Sequence, residues 1–380
     1  MKIGIDARFF GIKQKGLGRY TQKLIENLER ISGTGDGDPQ YYIFLKKENF
    51  QEYQPKNPKF IKVLADYHWY TFSEQLFFPY LLGQYDLDLV HFPHFNVPIF
   101  YFNKFVVTIH DLTLIHFPTV KNSTLHPFIY KIKFLLYKLV IRMAIIRAST
   151  IITISNFTKK DILANYGKSL EKKIIVTYEA SDDFCMVSLN SNDETLQKYG
   201  IIKPYLIYVG NAYPHKNLDR LVRSFKMISQ KEKSLQLLLV GRNDYFYDNL
   251  KKIVAEGKIE NVLFLSDIAD YELDILFHNS LANVFPSLYE GFGLPPLEAM
   301  SKGVPVISSD HLCMREILGD SAYFFDGKDV NAIAEAMKKI IEDGDLRGAL
   351  IKKGFEQVKK YSWKKMASES LQVYLDSVIK

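Results

Sequence analysis

The sequence predicts an α/β protein built as two doubly wound parallel sheets. Three observations carry that expectation. The chain has 380 residues, more than one ordinary hydrophobic core organises. Twelve short apolar or β-branched runs alternate with helical patterns along it. A polar break at 181–195 separates the first six runs from the last six. Nearly continuous apolar strands joined by crossover helices belong to parallel sheets covered on both faces. The reading is therefore two Rossmann-like domains, 1–183 and 184–361, facing a cleft. Ligands of such sheets bind beyond the carboxyl ends of the strands.

In chain order, the first six strand candidates are KIGID (2–6), YYIFL (41–45), LDLVHF (87–92), KFVVTIH (104–110), TIITIS (150–155) and KIIVTY (173–178). Helical stretches such as Leu17–Arg30 and Phe128–Arg147 separate most of them. The second six are PYLIYVG (204–210), LQLLLVG (235–241), NVLFL (261–265), LANVF (281–285), VPVIS (304–308) and AYFF (322–325). The last stretch, SWKKMASESLQVYLDSVIK (362–380), is a helix with one apolar side, made by Trp363, Met366, Leu371, Val373, Tyr374 and Val378. It must dock on something.

Hydrophobic residues are 47% and charged residues 24%, the balance of a soluble globular enzyme. Cys185 and Cys313 offer neither a disulfide framework nor metal-ligand spacing, which fits a reducing compartment. Asp6 and Arg8 stand where a secretory signal would need its apolar segment, and no uncharged run approaches the roughly 18–20 residues that span a bilayer. A cytoplasmic protein is expected. Its net charge is +6, but 121–173 holds eleven Lys or Arg against Asp161 and Glu171, a local excess of +9. Such an excess points to an anionic partner, although a solvated surface is the commoner meaning of a charge run.

Within that region, FIYKIKFLLYKLVIRMAIIR (128–147) puts Lys131, Lys138 and Arg142 within about 40° on a helical wheel, with Lys133 and Arg147 on the other side. The first expectation is a mostly buried helix with snorkelling basic ends. The alternative is an interfacial patch, peripheral on the inner face of the cell membrane, that meets anionic lipid and a lipid-linked acceptor.

The chemistry concentrates in YEGFGLPPLEAM (289–300), between the strand LANVF and a helix. Pro295 and Pro296 suit a first helical turn, and Gly291 and Gly293 let backbone approach a ligand closely. The helix N-terminus favours a phosphate. Glu298 is read into the first turn, where an acid also complements the helix dipole. Glu290, on the loop, has no such local excuse. Carboxylates suit vicinal hydroxyls because they accept two hydrogen bonds and donate none. In YVGNAYPHKNL (208–218), Asn211 and Lys216 follow a strand, and the Lys216 ammonium suits a diphosphate; a lone Lys there is usually just surface. KGLGRY (15–20) follows the first strand, and Gly16 and Gly18 are expected to offer amides to a phosphate, although an ordinary turn explains the pair about as well. VVTIHDLT (106–113) places His110 at a strand's carboxyl end, where a histidine is more often functional than elsewhere.

Together these residues resemble retaining glycosyltransferases of the GT-B architecture, close to the large family four and to its bacterial mannosyltransferase-like, group 1 members. The resemblance covers nearly the whole chain. Its most specific element is the acid, seven residues, acid pattern of Glu290 and Glu298 within PSLYEGFGLPPLEAMSKGVPVI (286–307). It implies that Glu290 contacts donor-sugar hydroxyls and Glu298 the ribose hydroxyls. The backbone of Gly291, Phe292, Gly293 and Leu294 would meet sugar and diphosphate, and Lys216 would neutralise the leaving diphosphate. Gly16 and Gly18 would match the N-terminal glycine loop, and His110 the histidine beside the anomeric centre. This chain has His215 where an Arg commonly precedes the lysine, and Asn211 where some members have Arg, so fewer fixed charges hold the diphosphate.

The resemblance further implies retention by same-face attack, with no cofactor and no metal. The wording of VVTIHDLTLIHFP (106–118) and PVISSDHLCMREILGDSAYFFD (305–326) favours mannose from GDP-mannose, moved to a glycan or lipid-linked acceptor of a surface polysaccharide. UDP- or dTDP-sugars are the alternatives. A nucleotide-sugar epimerase of the same architecture and a non-catalytic sensor are the competing classes. Nucleic acid is disfavoured, because the basic excess lacks aromatic interleaving on a recognisable module.

Overall fold

The computed structural model describes residues 1–11, 14–118, 127–181 and 192–379. Cys185 and the expected domain boundary at 183/184 lie outside the described residues. The chain divides into two compact units. One comprises Met1–His116, Ser123–Glu179 and Ser362–Lys380; the other comprises Phe117–Asn122 and Ala180–Tyr361.

The first unit is built on seven parallel strands: β1 (Lys2–Asp6), β2 (Gln40–Leu45), β3 (Phe60–Leu64), β4 (Leu89–Phe92), β5 (Phe105–Ile109), β6 (Thr150–Thr153) and β7 (Ile174–Val176). Their order is β3-β2-β1-β4-β5-β6-β7, so the winding reverses between β1 and β4. Every residue of β5 is buried, as a central strand covered on both faces requires. The sequence reading missed β3. Its FIKVL is an edge strand with Lys62 in the middle and only two of five residues buried, so it lacks the continuous apolar run of its neighbours.

The second unit carries β8 (Tyr205–Val209), β9 (Gln236–Val240), β10 (Val262–Leu265), β11 (Ala282–Phe285), β12 (Val306–Ser309) and β13 (Ala322–Phe325). The order is β10-β9-β8-β11-β12-β13, and the reversal falls between β8 and β11. There Ala282 pairs with Leu206 and Asn283 with Ile207. The two segments singled out for chemistry, after β8 and after β11, thereby leave one switch point side by side.

The C-terminal helix Trp363–Ile379 returns to the first unit and packs on helix Lys15–Ile31. Its Tyr374 hydroxyl meets His91 Nδ1 at 2.6 Å, and Nε2 of His91 meets the Thr108 hydroxyl at 2.8 Å. Burial, with the nearby charge of His110, pushes the His91 pKa down to about 3. That histidine is a neutral strut.

Helix Pro127–Arg147 departs from expectation. Ile141, Ala144 and Ile145 are buried, but Ile132, Leu135, Leu136 and Leu139 are exposed. Among its described side chains the buried ones come from the last two turns, which reach the core beside β5 and β6 with Tyr137 partly buried against it, so the described part of the helix is not mostly buried. Among the described residues no helix is long and apolar enough to cross a membrane.

Candidate active site

After β8 the chain makes a short 3-10 turn, Pro214–Lys216, and Asn217 takes a left-handed conformation at φ 64°. The Asn217 side chain donates to the carbonyls of Pro286 (3.0 Å) and Gly327 (2.7 Å), and the Leu288 amide donates to the His215 carbonyl at 2.7 Å. These bonds weld the turn to the loop that follows β11. As a result Lys216 Nζ donates to Glu290 Oε1 at 2.6 Å, with side chains only 14% and 11% exposed. Burial alone would push the Glu290 carboxyl up. The charges of Lys216 and His215 outweigh it, and its pKa lies below the ordinary glutamate value. An ionised carboxylate and an ammonium thus stand poised at a sheet's carboxyl edge.

The loop leads into helix Leu294–Ser301, capped by Gly293 at φ 93°. Proline occupies two of the four positions whose amides lack an intrahelical acceptor, leaving the N–H groups of Gly293 and Leu294 to meet an anion. The Phe292 side chain is buried against Tyr361, so what that residue can offer a ligand is backbone. Glu298 corrects the expectation: with the helix starting at Leu294, it lies in the second turn, not the first. The reason is that the helix opens at Leu294, ahead of both prolines, so the first turn ends before Glu298. Gly291 is buried on the loop beside Glu290. The Asn211 side chain accepts from the Tyr213 amide at 3.3 Å, holding the chain that leads to Lys216.

In the first unit, Gly16 and Gly18 lie inside helix Lys15–Ile31 rather than on a loop before it. Gly18 is a packing residue, since a Cβ there would sit 2.0 Å from the Gly11 carbonyl oxygen. Nothing lies within 4 Å of a Cβ at Gly16, so only that glycine leaves its first-turn backbone open to approach.

His110 follows β5. Its Nε2 lies 2.9 Å from the Pro93 carbonyl and its Nδ1 3.2 Å from Glu179 Oε1, with the ring edge-on to Tyr20. A carbonyl only accepts, so Nε2 carries a hydrogen. Burial works against the charged imidazole, but Glu179, then the Pro93 carbonyl, raise its pKa above the ordinary value. The sequence reading missed Glu179. It lies past β7, and β6 intervenes between β7 and β5, so only the sheet order brings it to His110.

A histidine whose pKa rises on folding contributes stability below its unfolded value, near pH 6.5, and loses it as pH climbs through the folded value. His91 and His94, both pushed down to about 3 by burial, act with the opposite sign and favour the fold above the unfolded value. Comparing wild type with Glu179→Gln isolates His110. The variant's stability deficit is expected to be largest near about pH 6 and to shrink toward about pH 9, read by urea denaturation across pH. A deficit independent of pH would exclude Glu179 as the proton partner.

Residues 191–357 match the family model of the glycosyl transferases group 1. The chain is 28% identical over 296 residues to O-antigen chain mannosyltransferase B of Escherichia coli, covering 77% of this chain and 75% of that one. It is 30% identical over 273 residues to O-antigen chain mannosyltransferase RfbU of Salmonella typhimurium, covering 72% and 70%. Among solved structures it is similar to sucrose-phosphate synthase of Thermosynechococcus elongatus, with TM-score 0.76, 20% identity and coverage of 99% and 98%. It is also similar to Anabaena HepE in complex with UDP-glucose, with TM-score 0.73, 14% identity and coverage of 98% and 99%. These structural likenesses fix the fold as GT-B, and the RfbU match reaches well past the segment of the family model. The chain belongs to the group 1 glycosyl transferases.

Proposed function

We propose that this glycosyltransferase moves mannose from GDP-mannose, with retention of configuration, onto a glycan or lipid-linked acceptor in surface-polysaccharide assembly. The observation that carries the reading is the Lys216–Glu290 pair, set beside the capped helix that starts at Leu294. Two relatives, both O-antigen mannosyltransferases, support the sugar and the pathway.

In this reading the donor's C1–O bond to the diphosphate breaks and a new C1–O bond forms to the acceptor hydroxyl on the same face. The acceptor's proton passes to the leaving phosphate oxygen. Negative charge grows on the diphosphate, where Lys216 and the amides of Gly293 and Leu294 stabilise it as preorganised electrostatics. Glu290 holds donor-sugar hydroxyls, Glu298 the ribose hydroxyls, and His110 stands beside the anomeric carbon. Glu290 therefore has two tasks: it accepts from sugar hydroxyls and it positions the lysine. In this reading Lys216 and the two amides take the leaving charge, and the reaction needs no metal.

A thermal-shift panel of GDP-, UDP-, ADP- and dTDP-sugars tests the donor. At about 100 times its dissociation constant the true donor adds about 2.7 kcal/mol, so GDP-mannose is expected to give the largest rise in Tm. A larger shift with a UDP- or dTDP-sugar would overturn the donor assignment. Turnover of a nucleotide sugar without acceptor would favour an epimerase instead.

A further inference from the structure

The C-terminal helix is tied to His110 through four side chains. Tyr374 of that helix meets Nδ1 of His91 on β4, and Nε2 of His91 meets the Thr108 hydroxyl on β5. The same Thr108 hydroxyl lies 3.1 Å from the hydroxyl of Tyr20 on helix Lys15–Ile31. Tyr20 in turn sets its ring against the His110 imidazole, with centroids 4.7 Å apart and planes at 89°. Tyr20, His91, Thr108 and Tyr374 are all fully buried. Apolar residues of the same shape would fill this space at less cost, since every buried hydroxyl and imidazole needs a partner. Here each finds one. A neutral imidazole offers one donor and one acceptor, and both nitrogens of His91 meet a hydroxyl. A polar chain satisfied in this way holds its members to one geometry.

His110 is what the chain can hold. Its Nε2 is bonded to the Pro93 carbonyl and its Nδ1 to Glu179. Two such bonds fix where the ring sits but leave it free to rock about the line joining them. A perpendicular ring pressed against it removes that motion. Thr108 lies two residues before His110, so the hydroxyl that anchors Tyr20 belongs to the segment that carries the histidine.

We propose that Tyr20 and Tyr374 are positioning residues for His110. The chain from the C-terminal helix through His91 and Thr108 to Tyr20 fixes the plane of the imidazole. The inference rests on the reading of His110 as the group beside the anomeric carbon, and it adds residues that touch no substrate. Burial pushes both phenols up and keeps them uncharged, so the chain acts by position and not by charge. The charged and titratable groups around His110 are Glu179 and Asp111, with His91 and His94 nearby.

The test compares Tyr20→Phe, Tyr374→Phe, the double variant and Ser377→Ala in the full chain. Each phenylalanine keeps the ring and its packing and removes one hydroxyl, so the fold is retained, as a cooperative thermal transition would show. Tyr20→Phe and Tyr374→Phe are each expected to lower kcat about fivefold with the donor KM unchanged, because a misplaced group slows the chemical step. Both break one chain, so the double variant is expected to be no slower than the slower single. Ser377→Ala breaks another buried hydroxyl pair of the same helix, with Thr150 at 2.9 Å, and is expected to lower Tm while keeping kcat. Exchange of the His110 ring N–H with solvent is read by NMR on isotope-labelled histidine, without donor or acceptor. It is expected to quicken in both tyrosine variants, the signal being assigned by its loss in His110→Gln. Losses that multiply in the double variant, an equal fall in kcat for Ser377→Ala, or unchanged exchange at His110 each overturn the proposal. Full transfer by His110→Gln would instead remove the role given to that histidine, and the exchange measurement would still decide whether the chain positions it.

Discussion

Lys216→Ala is expected to lower kcat/KM for sugar transfer by about a hundred- to thousandfold, the usual consequence of removing one preorganised donor to a developing anion. The geometry adds a second effect. Lys216 Nζ is 2.6 Å from Glu290 Oε1 and both side chains are largely buried, so the single variant leaves a carboxylate without its counter-charge. Breaking such a pair costs about 3 kcal/mol, the low end for buried pairs because a little solvent reaches this one. A lysine that served only the leaving diphosphate could be removed with the fold untouched. The ion pair instead makes loss of stability part of the result. Lys216→Met combined with Glu290→Gln separates the two effects: stability is expected to return while transfer stays lost. Urea denaturation beside a transfer assay reads both, and full activity in Lys216→Ala or in Glu290→Ala would remove the basis for the site.

Gly293→Ala is expected to have the next largest effect. The residue sits at φ 93°, and an added Cβ would lie 2.4 Å from Cε and 3.0 Å from Sδ of the buried Met314. The left-handed backbone costs about 1–2 kcal/mol for an L-residue, and crowding adds to it, so the variant is expected to lose about 2–3 kcal/mol. Any backbone shift that relieves the strain also moves the Leu294 amide, so donor affinity is expected to fall with stability. Gly16→Ala is the contrast. It lies in a helix with open space around the new methyl, so stability is expected to rise by about 0.5–1 kcal/mol. If Gly293→Ala matched wild type in denaturation and in donor binding, the helix terminus would have no special part in the site.

Gly16 and Gly18 show what a sequence can and cannot reveal. They form one short glycine pair, and spacing alone gives them the same meaning. What separates Gly18, pressed on the Gly11 carbonyl, from the open Gly16 is how the helix seats on the preceding loop. In the same way, FLLYKL in helix Pro127–Arg147 has the composition of a core helix. Only packing shows its Leu135 67% exposed.

The sequence by itself determined the two parallel sheets, because apolar strand runs and intervening helical periods are local patterns set by neighbouring side chains. All twelve predicted runs became strands, and among the described residues only the edge strand Phe60–Leu64 escaped. It also named Lys216 and Glu290 as the residues to watch. Their meeting, and that of His110 with Glu179, was decided by strand order, which sets β11 beside β8 and carries β7 back toward β5 across β6. Contacts across a sheet edge depend on which distant segments pair, and no local period records that choice.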